Sequence, residues 1–203
     1  MKDTGPKNVE RLRMNIPELL AVAEQVSRRQ PAGLAAYKPA NSHPEKEPRV
    51  FDFVGMLGIP LVPCHEFPAE VPAAFFSIHA IKDAELPTRL AKFIASGRPV
   101  LLTDGLKEEL AGKLDLSPGN VHVLAVRGEP KRLLDLPQQE LDRLRAPLLR
   151  PLGHNLRAPN RMGFYPFADG SWVIENFHDE PATVELNGES RQVAPRGWIM
   201  HWK

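Results

Sequence analysis

Four short clusters of reactive side chains punctuate the first half of this 203-residue chain. Tyr37, Lys38, Asn41, Ser42 and His43 form the first, and Cys64, His65 and Glu66 the second. Ser77, His79, Lys82 and Asp83 form the third, and Thr103 and Asp104 the fourth. A hydrolase could be built from Cys64 or Ser77 as nucleophile, His79 as base, and Glu66 or Asp104 as the supporting acid. Neighbouring residues on a strand point to opposite faces, so His79 suits Cys64 better than His65 does. The competing reading of Cys64 is a buried structural thiol. His65, Glu66 and His79 are also zinc or iron ligand types. Neither an HExxH motif nor a paired-His spacing accompanies them, so no metal is expected. Lys38 with Asn41 and Ser42 could hold a carboxylate or sugar hydroxyls. Equally, Asn41 or Ser42 could be the N-cap of the next helix. The catalytic candidates are therefore Cys64, His79 and Glu66. The ligand-binding candidates are Tyr37, Lys38, Asn41, Ser42, His65 and Asp104.

These clusters matter only if the fold brings them together. Each follows a short apolar run: "AGLAAYK", "IPLVPC", "AAFFSIH" and "RPVLLTD", with "NVHVLAV" as a fifth. Helical patterns alternate with the runs: "EKEPRVFDFVGMLG", "HEFPAEVP", "AELPTRLAKFIASG" and "GLKEELAGKL". Continuous apolar strands alternating with helices predict a mainly parallel sheet covered on both faces. The expected class is α/β, a flavodoxin-like doubly wound sheet, whose ligands gather beyond the carboxyl ends of the strands. Before it, "IPELLAVAEQVSRR" (16–29) predicts an amphipathic helix. Asn15 is its expected N-cap, Pro17 falls in its first turn, and Leu19, Leu20, Val22, Ala23 and Val26 form its apolar stripe. After it, "LPQQELDRLRAPLLRPL" offers one short helix and a proline-broken linker. Residues 162–203 then carry four or five antiparallel strands, with turns at "ADG", "DEP", "NGE" and "APRG". The expected units are a tail and linking helix (1–31), the α/β domain (32–150) and a small β unit (151–203). Phe164, Tyr165, Phe167, Trp172, Phe177, Trp198 and Trp202 form the core of that β unit, with sugar stacking as the alternative.

Composition narrows the function. Hydrophobic residues make up 42% and charged residues 25%, and the net charge is +1. Nothing in that balance draws the chain to nucleic acid or to a membrane. No apolar run approaches the roughly 20 residues needed to span a bilayer. The first 15 residues lack the apolar segment of a signal peptide. With one cysteine the chain forms no internal disulfide, which fits a reducing, cytoplasmic compartment. The 21 prolines are spread singly and punctuate short elements. No dinucleotide glycine fingerprint, phosphate-binding loop or nucleophile elbow is present, so no cofactor is expected.

"AELPTRLAKFIASGRPVLLTDGLKEEL" resembles the helix, glycine, apolar strand and threonine-bearing loop of class I glutamine-amidotransferase-like domains. The form found in β-galactosidase trimerisation domains is the most similar. "GSWVIENFHDEPATVELNGESRQVAPRGWIMHWK" resembles the small β domain that closes many glycoside hydrolases. The two resemblances span about 32–126 and 162–203. The amidotransferase nucleophile is a cysteine in a tight elbow after the third strand. Here that strand ends "FFSIHAIKD", so amidotransferase chemistry is not implied. The catalytic acids of such glycosidases lie in a preceding barrel, for which this chain has no room. The resemblance implies a non-catalytic accessory or assembly portion, contributing oligomer contacts or lending a loop to a carbohydrate site. Its expected partners are further copies of itself or an upstream catalytic barrel joined through the N-terminal helix.

Overall fold

A computed structural model of the chain describes residues 5–126 and 128–203. At its centre is a five-stranded sheet in the order β2-β1-β3-β4-β5, with every neighbouring pair parallel. The strands are β1 (Leu34–Tyr37), β2 (Leu61–Cys64), β3 (Ala74–Phe76), β4 (Val100–Thr103) and β5 (Val121–Leu124). They are the five apolar runs, and their shared direction brings all their exits to one edge.

Strand side chains alternate between faces, and each face has its own core. Leu34, Ala36, Phe75, Leu101 and Leu124 pack with Val50 and Val54 of α2 (Val50–Gly55) and with Leu141 and Leu148 of α5 (Gln138–Leu149). Tyr37, Ala74, Phe76, Val100 and Leu102 pack with Leu86, Leu90 and Phe93 of α3 (Leu86–Ala95) and with Leu106 of α4 (Asp104–Glu109). Burial of both sheet faces explains why the strands read as unbroken apolar runs rather than alternating ones.

Three local expectations change. The helix expected over 45–58 shortens to α2, whose N-cap is Arg49 at φ 60. Pro44 and Pro48 disfavour helical backbone at the residues before them, which holds 43–49 as a loop. Residues 65–73 form no helix, and Pro68 and Pro72 interrupt that stretch in the same way. The first helix, α1, runs Pro6–Ser27, so Asn15 and Pro17 lie inside it rather than at its start.

The C-terminal part holds six strands in two three-stranded antiparallel sheets: β10-β9-β6 and β11-β8-β7. They are β6 (Leu156–Arg157), β7 (Met162–Pro166), β8 (Trp172–Asn176), β9 (Ala182–Leu186), β10 (Glu189–Val193) and β11 (Trp198–His201). β6 lies inside the unit expected over 151–203 but ahead of residue 162, where the antiparallel strands are expected to begin. The two sheets share one core of Leu156, Met162, Phe164, Trp172, Ile174 and Val184. Trp172 belongs to that core rather than to a sugar-stacking surface.

Arg145 on α5 stitches this region to the parallel sheet. Its guanidinium is fully buried and donates to the carbonyls of Leu57 (2.6 Å), Ala158 and Pro159 (3.0 Å). Burial draws its pKa down to about 10, against the attraction of Asp142. Met162 N–H donates to Met56 O, Ala32 N–H to Pro166 O and Ala168 N–H to Gln30 O, all at 2.9 Å.

Candidate functional site

The strand exits form three separate groups along the edge. At the junction of β1 and β3, the Ser42 hydroxyl lies 3.0 Å from Nδ1 of His79. Ser42 comes from the long loop after β1, and His79 from the 3-10 turn Ile78–Lys82 after β3. Phe51 packs on the imidazole with ring centroids 5.6 Å apart. Burial and the neighbouring Lys38 push the pKa of His79 down, while a bond to the Ser42 backbone pushes it up. Burial thus favours the neutral form of this imidazole. Neither Asn41 nor Ser42 caps α2. Asn41 takes a left-handed φ of 55 on the exposed loop, and the Ser42 hydroxyl is committed to His79.

The second group lies one strand further on. Glu47, from the same β1 loop, is buried, and its Oε2 accepts the Ile78 N–H at 3.1 Å. Its Oε1 has no hydrogen bond of normal geometry, yet the Thr103 hydroxyl and the Gly105 N–H are near enough to lower its pKa. Burial outweighs them and raises it, with Asp104 adding to the rise. A Cβ on Gly105 would collide with Oε1, so glycine is what admits the carboxyl here. Asp104 Oδ1 accepts the N–H groups of Gly105 (3.0 Å) and Val126 (2.9 Å), closing the exits of β4 and β5 together. The Thr103 side chain caps α4 through the Leu106 N–H.

The third group faces α3. Tyr37 donates to Asp83 Oδ2 at 3.0 Å, and Arg89 reaches the same oxygen at 3.2 Å. Burial and the adjoining Asp83 raise the Tyr37 pKa to about 12, so its hydroxyl stays protonated as a donor. Beside this triad is a hollow of about 770 Å³, with Tyr37, Phe67 and Phe93 as aromatic walls and His65, Glu66 and Arg89 among its polar groups.

The expected site residues are therefore divided. Tyr37, His65 and Glu66 meet at the hollow. Ser42 and His79 meet at the β1–β3 junction. Asp104 fastens the β4–β5 edge. Lys38 is exposed beside His79. Cys64 packs with the α3-side core, whereas His79 packs with Phe51 on the α2 side, so the sheet separates this candidate nucleophile from its base. Burial raises the Cys64 pKa, which opposes thiolate formation. The Ser77 hydroxyl is fully buried and finds no hydrogen-bond partner among the described residues. Among the described residues, no group of three His, Cys, Asp or Glu side chains is placed to hold a metal ion. Glu47, Arg89 and Arg145 were not marked by sequence. Glu47 sits in "PEKEP", at the start of the segment expected to be a helix, and nothing in that stretch distinguishes the buried carboxyl from its neighbours.

The remaining polar constellation holds α1 in place. Glu18 accepts the Trp198 indole N–H at 3.0 Å. Arg29, just past the helix, donates to Ser171 (3.0 Å) and to the Lys203 carbonyl (2.8 Å), and pairs with Asp169 at 2.9 Å. Its guanidinium also lies 4.8 Å above the Trp202 ring. Large apolar side chains on the same helix point into solvent: Val9, Met14, Ile16, Leu19, Leu20 and Val26, with Met14 at 73% and Leu20 at 65% exposure. Only Ile81 and Tyr165 join them elsewhere among the described residues.

Comparison with protein-family models, curated proteins and solved structures found no match to this chain.

Proposed function

We propose that this chain is a non-catalytic accessory and assembly portion of a glycoside-hydrolase-like protein, and that α1 is the element by which it docks. The observation that carries the reading is the outward-facing apolar stripe of α1. A helix that is bonded to its own chain by polar groups and leaves large apolar side chains in solvent offers a surface for another folded body. The strand order β2-β1-β3-β4-β5 supports a flavodoxin-like, amidotransferase-related sheet. In this reading, the hollow beside Tyr37 is the surface offered to a carbohydrate, with aromatic walls for a sugar face and polar groups for its hydroxyls. The test is the stability of an Ile16→Glu, Leu20→Glu variant at a concentration low enough to keep the chain monomeric. A urea midpoint close to wild type is expected, since both side chains are exposed in the single chain. A loss of about 2 kcal/mol or more would place the stripe in the chain's own core and overturn the reading.

The Ser42–His79 hydrogen bond favours a second reading, a small stand-alone hydrolase with Ser42 as nucleophile and His79 as base. Turnover of p-nitrophenyl esters or glycosides by the wild type, abolished by His79→Ala, would establish it in place of the first.

A further inference from the structure

We propose that residues 38–49, the loop from β1 to α2, form a pH-operated strap: it lies closed across the exits of β1 and β3 while the Glu47 carboxyl keeps its proton, and lifts when that carboxyl ionises. The inference is independent of the docking role given to α1. In the order β2-β1-β3-β4-β5 the strand sequence reverses between β1 and β3. That is the switch point, where an open parallel sheet leaves a crevice for a ligand. The strap starts at the exit of β1 and is bonded to the turn that follows β3, so it crosses that crevice.

The strap is held by few attachments. Of residues 38–49 only Glu47 is buried, at 2% exposure. Beyond the Lys38 N–H, which bonds Cys64 in the sheet, two side chains hydrogen-bond the strap to the rest of the described residues. The Ser42 hydroxyl meets His79, and Glu47 Oε2 accepts the Ile78 N–H, so both latches close on the one turn Ile78–Lys82. Within the strap, Asn41, Glu45 and Arg49 hold left-handed φ values of 55, 46 and 60, which are strained for residues other than glycine.

Glu47 is the latch that responds to rising pH. Its Oε1 lies against Gly105 and has no hydrogen bond of normal geometry. The charged group facing it from α4 is Asp104, and among the described residues no cation faces it. A neutral carboxyl fits this place. A carboxylate there would be a second negative charge in a buried site, short of donors. Ionisation is favoured when Glu47 moves out to water, and the strap moves with it. The other latch responds to acid. His79 faces Lys38 and His43 of the strap and the Phe51 ring of α2, so a proton on it sets like charges against the strap. Release frees the Ile78 N–H and the His79 imidazole at the crevice.

The test is limited proteolysis of the full chain by trypsin. The initial rate of cleavage at Lys46–Glu47 is divided, at each pH, by that of a peptide of the same sequence, which removes the enzyme's own pH dependence. Glu47→Gln keeps the shape of the latch without its charge and leaves the His79 response in place. Relative to Glu47→Gln, the wild type is expected to grow more cleavable as pH rises from about 5, by as much as about tenfold for each pH unit, and to level off above the folded value of Glu47. Cleavage at Arg143–Leu144 in α5 reports global unfolding and is expected not to follow. The same pH profile in both proteins, or cleavage at Arg143 rising in step, would overturn the inference. If Glu47→Gln is cut at Arg143 as readily as a peptide, its fold is lost and Asp104→Asn decides. Removing the facing charge is expected to bring the levelling-off to lower pH, and a profile that does not move would overturn the inference.

Discussion

The Ser42 hydroxyl and Nδ1 of His79, 3.0 Å apart, join the exits of two neighbouring parallel strands across the point where the chain turns from one half of the sheet to the other. The bond holds a long, proline-rich loop against a short 3-10 turn, and neither segment has much secondary structure of its own. Ser42→Ala should cost about 1 kcal/mol in urea unfolding. An unfolding midpoint equal to wild type would show that the hydroxyl does not hold the loop to the turn.

Acid should weaken the fold. His79, His122 and His154 all have pKa values lowered chiefly by burial. The unfolded chain therefore takes up protons that the folded chain refuses, and stability falls as pH drops below about 6.5. Glu47 and Glu175 act oppositely. Their raised values give a contribution that is full below the ordinary carboxyl range and is lost as pH rises through the folded value. Glu47→Gln removes one opposing contribution, so its stability should fall more steeply than wild type between neutral and mildly acid pH. Parallel curves for the two proteins would show that Glu47 does not titrate as its burial requires.

Gly105→Ala should destabilise the fold by about 1–3 kcal/mol, because the new methyl meets Glu47 Oε1. Shortening the carboxylate by Glu47→Asp should recover part of that loss. A double-mutant cycle reads the coupling, and strict additivity would mean that the two residues do not press on each other.

Replacing Arg145 by methionine should cost about 3 kcal/mol, since the Leu57 and Pro159 carbonyls lose a donor and that of Ala158 keeps only Gln138 Nε2. Lysine should rescue only partly, because one ammonium cannot reproduce the planar fork that serves all three. Thermal unfolding of the three proteins should follow the order Arg, Lys, Met.

The architecture of the sheet was the most legible part of the sequence. Five apolar runs without alternation mark strands buried on both faces, and the structure aligns all five in parallel. The site was much less legible, for two reasons. Which polar exits meet depends on the side of the sheet each faces: Cys64 ends its strand on the α3 side, while His79, three residues past the end of β3, packs on the α2 side. Burial of charge was also hidden: Glu47 lies between exposed Lys46 and Pro48, and Arg145 shares its helix with exposed Arg143, so residue type alone does not tell the buried charge from the solvated one. The stripe on α1 was visible as a pattern, but periodicity shows that a helix has an apolar side without showing what that side faces.

Arg145 and the backbone bonds around Met56 and Met162 carry a consequence for protein engineering. A boundary drawn near residue 150 separates a donor from the acceptors it serves, and a strand neighbour from its mate. Grafting the last fifty residues onto a foreign scaffold would export an apolar slab lacking its counterpart, while the truncated remainder would retain a stranded cation. The two regions should therefore be inherited, expressed and recombined together, as one indivisible cassette.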